Sequence, residues 1–186
     1  MHPVEDAVAP LVGVPSWLVR KGHGSFVTLE FGQPEVVIGE PRMSRLSIDG
    51  APPGAMRRSA RVQGQWHLWI YCCCWSLSLD TTQIAHNESD DVTIERALHL
   101  LNGQAITAVT VSPADGSTKF TFDLGCVMTT TPAPAHVYSS KTVEQWMLYQ
   151  PSGEVLTIRS DGMYSLEPGG TTSADVRTPA LSTIIT

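Results

Sequence analysis

Cysteine is the residue type in this sequence that most readily does chemistry, and its spacing limits what that chemistry can be. Three of the four cysteines are contiguous, Cys72, Cys73 and Cys74, and the fourth is Cys126. Adjacent side chains on a strand point to opposite faces, so the contiguous three form neither an ordinary disulfide framework nor a CxxC zinc knuckle. The sequence predicts reduced, buried structural thiols and no metal site. A reactive thiol is the alternative, which burial opposes by raising the pKa.

The six histidines and the acidic residues carry no recognised catalytic motif. The chain contains neither HxxxH nor HExxH, no GxSxG elbow, no GxGxxG and no Walker loop. Glu30 and Asp123 could act as an acid–base pair, but each precedes a glycine turn on the polar side of its strand, which predicts exposure to solvent. We expect surface or hydrogen-bonded histidines, no catalytic residues and no cofactor. The sequence favours a protein that is not an enzyme, without excluding one.

Charge and composition argue against further classes of protein. The 186 residues fit one domain, and 12 Lys and Arg against 18 Asp and Glu give a net charge of −6. Proteins that bind nucleic acids or anionic membranes need a cationic face, so neither is expected as a partner. The sequence has no run of about 20 apolar residues. It also lacks a basic leader followed by an apolar core, which favours a cytoplasmic location.

The elements that would position these residues are mostly strands. Residues 66–79 are apolar on both strand faces, which is typical of a central strand, and shorter strand candidates lie at 16–20, 25–31 and 35–38, of which 25–31 alternates clearly. Residues 50–64 have neither a strand nor a helix period and are predicted to form an exposed loop.

One helix stands out at 91–102. Acidic N-cap candidates precede it, apolar residues follow at helical spacing, and Asn102–Gly103 ends it. From residue 105 to residue 166 only strand and turn signals follow, which indicates a β-meander. The predicted fold class is α+β, a mostly antiparallel β sandwich or half-open barrel with one main helix.

Two segments of the chain resemble two later ones. Thr28–Gly32 resembles Thr121–Gly125, and Gln65–Trp69 resembles Gln145–Tyr149. An internal duplication of a β-meander unit accounts for this, and so does chance similarity between short strands.

The chain is predicted to have three parts. An irregular N-terminal segment (1–13) precedes one α+β domain (14–167), and a C-terminal tail (168–186) is loose or lies over another part of the molecule. Under duplication, the domain would consist of units 14–80 and 104–167 joined by the helix.

Five tryptophans could line a ligand pocket, because aromatic walls bind flat rings and sugars. Most lie in strands that are apolar on both faces, so core packing is the expected use. The predicted core consists of Phe26, Leu29, Trp66, Leu68, Ile70, Trp75, Leu98, Leu101, Val109, Phe122, Trp146 and Leu156.

The second half of the chain resembles a known class of proteins. The segments Leu101–Ile106, Thr110–Gly116, Thr121–Gly125, Trp146–Tyr149 and Val155–Ser165 resemble small bacterial proteins grouped with the immunity proteins of toxin systems. The resemblance covers residues 100–186 well and the first half loosely, and its motifs are those of strands and turns. It implies a β-rich fold, binding to a partner protein and no catalysis.

Charge is concentrated in one segment without a predicted element. Residues 42–61 hold five of the 12 basic residues against a single acid, Asp49. We expect residues 50–61 to form a mobile recognition loop, because insertions in a scaffold often carry function. Its candidate interaction residues are Met56, Arg57, Arg58 and Arg61, which suit an acidic protein surface or a second copy of this chain.

Two functions remain open from the sequence. The first is a non-catalytic, immunity-like interaction protein with an unknown protein partner. The alternative is a small-ligand-binding protein or hydrolase that uses an aromatic-lined cleft between the two β units.

Overall fold

A computed structural model describes residues 3–43, 56–138 and 142–169, together with 178–179 and 183–185. The helical elements in these ranges are α1 (Pro3–Val8), a 3-10 turn (Ala9–Leu11) and α2 (Asp91–Leu101). The strands are β1 (Ser16–Lys21), β2 (Val27–Met43), β3 (Met56–Ile70), β4 (Cys73–Leu79), β5 (Thr82–His86), β6 (Ile106–Val111), β7 (Thr118–Phe122), β8 (Cys126–Pro132), β9 (Glu144–Tyr149), β10 (Glu154–Arg159), β11 (Met163–Pro168), β12 (Thr178–Pro179) and β13 (Thr183–Ile185).

The strands form two open antiparallel sheets. The first has the strand order β1-β2-β3-β9-β10-β11-β12, and the second has the order β13-β6-β7-β8-β4-β5. Residues of both sheets and of both helices contribute to one shared hydrophobic core. The predicted α+β, mostly antiparallel fold is therefore confirmed, with sheets that stay open rather than closing into a barrel.

The core matches most of the residues predicted for it. Ten of the twelve are buried, whereas Phe26 and Trp66 are half-buried. The alternation of β2 and β3 explains the success, because Leu29, Leu68 and Ile70 all project from the face that meets the second sheet.

Helix α2 confirms the predicted helix to within one residue. The Asp90 side chain accepts the N–H of Thr93 at 3.0 Å, which caps the first turn. The buried face of the helix packs against β1 and β5 and consists of Ile94, Ala97, Leu98 and Leu101. In the described part of the chain, neither helix is long and apolar enough to cross a membrane.

The N-terminal segment is not irregular as predicted. Residues 3–11 form α1 and the 3-10 turn, and four of their apolar side chains, Val4, Ala7, Val8 and Leu11, are at most 4% exposed. Their spacing of three, one and three residues is helical. The two prolines, Pro3 and Pro10, concealed this pattern, although Pro is tolerated in the first turn of a helix.

The predicted central strand over 66–79 is two strands in different sheets. β3 ends at Ile70 in the first sheet, and β4 begins at Cys73 in the second. Crossing between the sheets moves the core-facing positions from Leu68 and Ile70 to Cys73 and Trp75. Apolar residues therefore occupy even positions before the crossing and odd positions after it, which imitates a strand that is apolar on both faces.

The predicted loop over 50–64 is wrong for its second part. β3 begins at Met56 and pairs with β2 from Met43 back to Pro34, so 56–64 is regular strand. Residues 44–55 lie outside the described residues. The sequence hides the strand because it is exposed on both faces and so lacks an alternating pattern.

The C-terminal tail contributes two short strands. β12 pairs with β11, and β13 pairs with β6. The tail therefore lies over other parts of the molecule at 178–179 and 183–185, which was one of the two predicted arrangements.

The two predicted β units do not form separate bodies. The first sheet combines β1–β3 with β9–β11, and the second combines β4 and β5 with β6–β8. Core side chains fill the space between the two sheets. The resembling segments 28–32 and 121–125 lie in different sheets, and duplication stays a prediction.

Candidate functional site

β2 and β3 extend beyond the rest of the first sheet. β1 pairs with β2 only as far as Phe31, and β9 pairs with β3 only over His67–Ile70. A β-bulge interrupts the β2–β3 register between Phe31 and Pro34. Beyond it, residues 33–43 and 56–64 pair only with each other within the described chain. We call this two-stranded extension the arm.

One face of the arm is apolar and exposed. The register places Val36 opposite Val62 and Ile38 opposite Ala60, all on the side that continues the core-facing side of the sheet. Val36 is 69% exposed, Ile38 53% and Val62 44%. The second sheet does not reach this far, so these side chains lie in water. We call Pro34, Val36, Ile38, Ala60 and Val62 the apolar arm face.

All four predicted interaction residues lie on β3 in the arm rather than in a loop. Met56, at the far end, is 65% exposed, and the side chains of Arg58 and Arg61 are also exposed. The backbone of Arg57 pairs with Arg42, and the side chain of Arg57 lies outside the described residues. Arg61 is closest to the body of the protein, where both Nε and Nη2 donate to Gln63 Oε1 at 3.2 and 3.1 Å.

Glu30 is the site residue whose environment the sequence did not foresee. It is 2% exposed, so its prediction as a solvent-facing carboxylate is wrong. Its Oε1 lies 2.7 Å from His67 Nδ1, and its Oε2 accepts the N–H of Gly64 at 2.9 Å. Both contacts come from β3, Gly64 within the arm and His67 just beyond it. Both partners are distant in sequence, and only the strand register brings them together.

Asp123 does not pair with Glu30. It is exposed, as predicted, and its Oδ1 accepts the N–H of Ala105 at 2.9 Å. Asp123 follows β7 in the second sheet, whereas Glu30 lies in β2 in the first. The hypothesis of an acid–base pair of these two carboxylates is therefore wrong.

A cavity of about 300 Å³ lies on the outer face of the first sheet, where the arm begins. We call it the Glu30 cavity. It is lined by residues of β1, β2, β3 and β9: Arg20, Glu30, Arg61, Val62, Gln63, His67, Trp69 and Tyr149.

The His67 ring is held in a defined orientation in this cavity. A carboxylate can only accept hydrogen bonds, so Nδ1 of His67 donates to Glu30 and Nε2 is the nitrogen that remains. The ring also lies 5.5 Å from that of Tyr149. Burial raises the pKa of Tyr149, which keeps its phenol neutral.

The lining suits binding better than nucleophilic catalysis. A glutamate–histidine pair resembles the base half of a hydrolase triad. The lining named above, however, contains no Ser, Thr or Cys that His67 could activate.

The cysteines are free thiols, and three are buried as predicted. Cys72, Cys73 and Cys126 are at most 9% exposed, and Cys74 is half-buried. Burial raises the pKa of each of the three buried thiols. The described residues contain no group of three or more His, Cys, Asp or Glu side chains placed to hold a metal ion.

We expect iodoacetamide at pH 8 to modify Cys74 before any other thiol of the native protein. The raised pKa of Cys72, Cys73 and Cys126 keeps them protonated at that pH, and their burial restricts access. Mass spectrometry of peptides over a time course measures the order of modification. Cys74→Ser should remove the fast phase, and modification of Cys73 at the same rate as Cys74 would contradict the expectation.

The tryptophans divide between the core and the half-buried surface. Trp75 and Trp146 are buried core residues, as predicted, whereas Trp17, Trp66 and Trp69 are half-buried. Trp69 contributes a wall of the Glu30 cavity. The Glu30 cavity is lined by an aromatic residue from each predicted β unit, Trp69 of 14–80 and Tyr149 of 104–167.

Comparison with protein-family models, with curated proteins and with solved structures found no match to this chain. The resemblance to immunity proteins therefore stays a prediction.

Proposed function

We propose that this chain is a non-catalytic protein-interaction protein that binds a partner protein through its arm. The observation that carries the proposal is the apolar arm face, where Val36, Ile38 and Val62 are 69%, 53% and 44% exposed on a regular two-stranded ribbon. Exposed apolar patches on a folded chain commonly mark interaction sites.

The backbone of the arm supports the same function. In the described residues, β2 beyond Phe31 and β3 before His67 lack strand partners on their outer edges. A free strand edge presents unpaired N–H and C=O groups, and proteins usually cover or interrupt such edges. A partner that adds a strand there would gain main-chain hydrogen bonds in addition to the apolar contact.

Charge indicates the kind of partner. The chain between residues 33 and 63 holds five basic and three acidic residues, whereas the rest holds seven basic and fifteen acidic residues. A basic segment on an acidic molecule attracts an acidic protein surface, because complementary charge speeds association and orients the partners. The resemblance to immunity proteins, which bind partner proteins without catalysis, agrees with this assignment.

The double variant Arg57→Ala/Arg58→Ala tests the proposal. We expect its melting temperature to stay nearly unchanged, because Arg58 is exposed and both residues lie far from the core. The amount of partner protein retained from a lysate of the native host should fall about tenfold, which corresponds to about 1.4 kcal/mol. The difference from wild type should shrink as salt is raised, because salt screens exposed charges.

The control is Arg96→Ala/Lys119→Ala, which removes the same charge from exposed positions on α2 and β7. It should retain as much partner as wild type. Equal retention by both double variants would show that the arm is not the interface, and unfolding of the arm variant would show that these arginines are structural. Sedimentation of the purified protein distinguishes a second copy from a different chain, because only a second copy would self-associate through the arm.

A further inference from the structure

We propose that the Glu30 cavity binds a small organic anion, a carboxylate carried on a flat apolar group. This goes beyond protein binding through the arm, because the cavity lies on the outer side of the first sheet, opposite to the apolar arm face.

The polar groups of the cavity are mainly donors. Arg20 and Arg61 contribute two guanidinium groups, and the Nδ1–H of His67 is already used on Glu30. Within the described chain the Arg20 side chain has no hydrogen bond or ion pair, so its guanidinium is available. A guanidinium matches a carboxylate with two parallel hydrogen bonds.

The acceptors of the cavity are already occupied. Glu30 uses Oε1 for His67 and Oε2 for the Gly64 N–H, and Gln63 Oε1 accepts two hydrogen bonds from Arg61. Each oxygen of the Glu30 carboxylate thus already has a protein donor, and the residue is only 2% exposed, so it offers little to a cationic ligand. With one acid against two arginines, the lining favours a ligand that brings its own negative charge.

The walls and the size limit the rest of the ligand. The rings of Trp69 and Tyr149 form the aromatic part of the lining. Aromatic faces pack well against flat rings. A volume of about 300 Å³ is at the small end of ligand sites, which suits a single ring with its acid group and excludes a dinucleotide.

Benzoate is the probe that tests this site. Acetate, which keeps the carboxylate, and benzamide, which keeps the ring, are the two comparison ligands. Isothermal titration of the purified protein should show benzoate binding at least about tenfold tighter than either, because acetate lacks the ring and benzamide lacks the charge. Equal affinity for acetate and benzoate would overturn the role of the aromatic walls. A dissociation constant for benzoate weaker than about 10 mM, which corresponds to about 3 kcal/mol of binding free energy, would overturn the site itself.

Arg61→Gln and Arg58→Gln form a matched pair of variants on the same strand. Arg61 lines the cavity and Arg58 does not. Arg61→Gln should weaken benzoate binding about tenfold or more, whereas Arg58→Gln should leave it within about twofold. Equal losses in the two variants would show that benzoate follows the general charge of the arm and would overturn the proposal.

The same pair separates this site from the interaction function. If the arm binds no partner protein, benzoate binding and its loss in Arg61→Gln are unaffected. If the cavity binds no anion, the capture of a partner by the wild-type arm still stands. A thermal melt of each variant confirms that a lost affinity does not arise from unfolding.

Discussion

Trp146→Ala is expected to lower the free energy of unfolding by about 5 kcal/mol. Trp146 is fully buried in β9, and its ring contacts that of Phe120, in the other sheet, edge-to-face with centroids 5.4 Å apart. Replacing a buried aromatic residue with Ala costs about 3–5 kcal/mol because it leaves a cavity. Its Nε1 also donates to Thr118 Oγ1 at 2.8 Å, and a buried hydroxyl left without this donor adds to the loss.

Urea denaturation followed by far-ultraviolet circular dichroism measures this loss. Since small domains are stable by about 5–15 kcal/mol, Trp146→Ala should unfold at a much lower urea concentration or fail to fold. Trp146→Phe keeps most of the apolar volume and removes the hydrogen bond, so it should cost less than half as much. A loss below about 1.5 kcal/mol for Trp146→Ala would contradict the role of this residue in joining the two sheets.

The buried faces of single elements could be predicted from the sequence because the pattern that defines them is local. Helix α2 has a cap at Asp90 and apolar residues at helical spacing, and the structure places it where the pattern does. The core-facing residues of β2 and β3 could also be predicted, because side chains alternate between the two faces of a strand. The pattern failed where the chain changes sheet, at Tyr71 and Cys72, because periodicity records which side of a strand is apolar and not which sheet the strand belongs to.

The candidate site depends on information that no local pattern holds. The contact of Glu30 with His67 requires the register of β2 against β3, and the burial of Glu30 requires the neighbouring arm. From the sequence, Arg57, Arg58 and Arg61 are candidates because of their charge and Met56 as an apolar contact beside them, and their role in binding stays a prediction. The sequence pattern placed them in a loop because a strand exposed on both faces has no core side to impose alternation.

Gly162→Ala is expected to destabilise the protein by about 3 kcal/mol through the contact between two turns. Gly162, between β10 and β11, has a φ of +75°, and a Cβ there would clash with the backbone carbonyl of Pro113 in the turn between β6 and β7. The positive φ alone costs an L-residue about 1–2 kcal/mol. Forcing the two backbones apart adds about 1–3 kcal/mol.

The turns cannot separate easily because they hold each other at several points. A Cβ on Gly116 would in turn clash with the carbonyl of Arg159. Gln145 Nε2 donates to Asp115 O at 2.7 Å and to Arg159 O at 3.3 Å, which ties the turn of the second sheet to β10 of the first. Moving either turn would therefore break buried hydrogen bonds as well as the close backbone contact.

Gly153→Ala separates the backbone clash from the conformational strain. Gly153 has a φ of +84°, and a Cβ there would meet nothing within 4 Å, so only the strain of about 1–2 kcal/mol remains. Urea denaturation of the two variants should show a clearly larger loss for Gly162→Ala. If the two losses are equal, the close backbone contact between the turns of the two sheets does not constrain either turn.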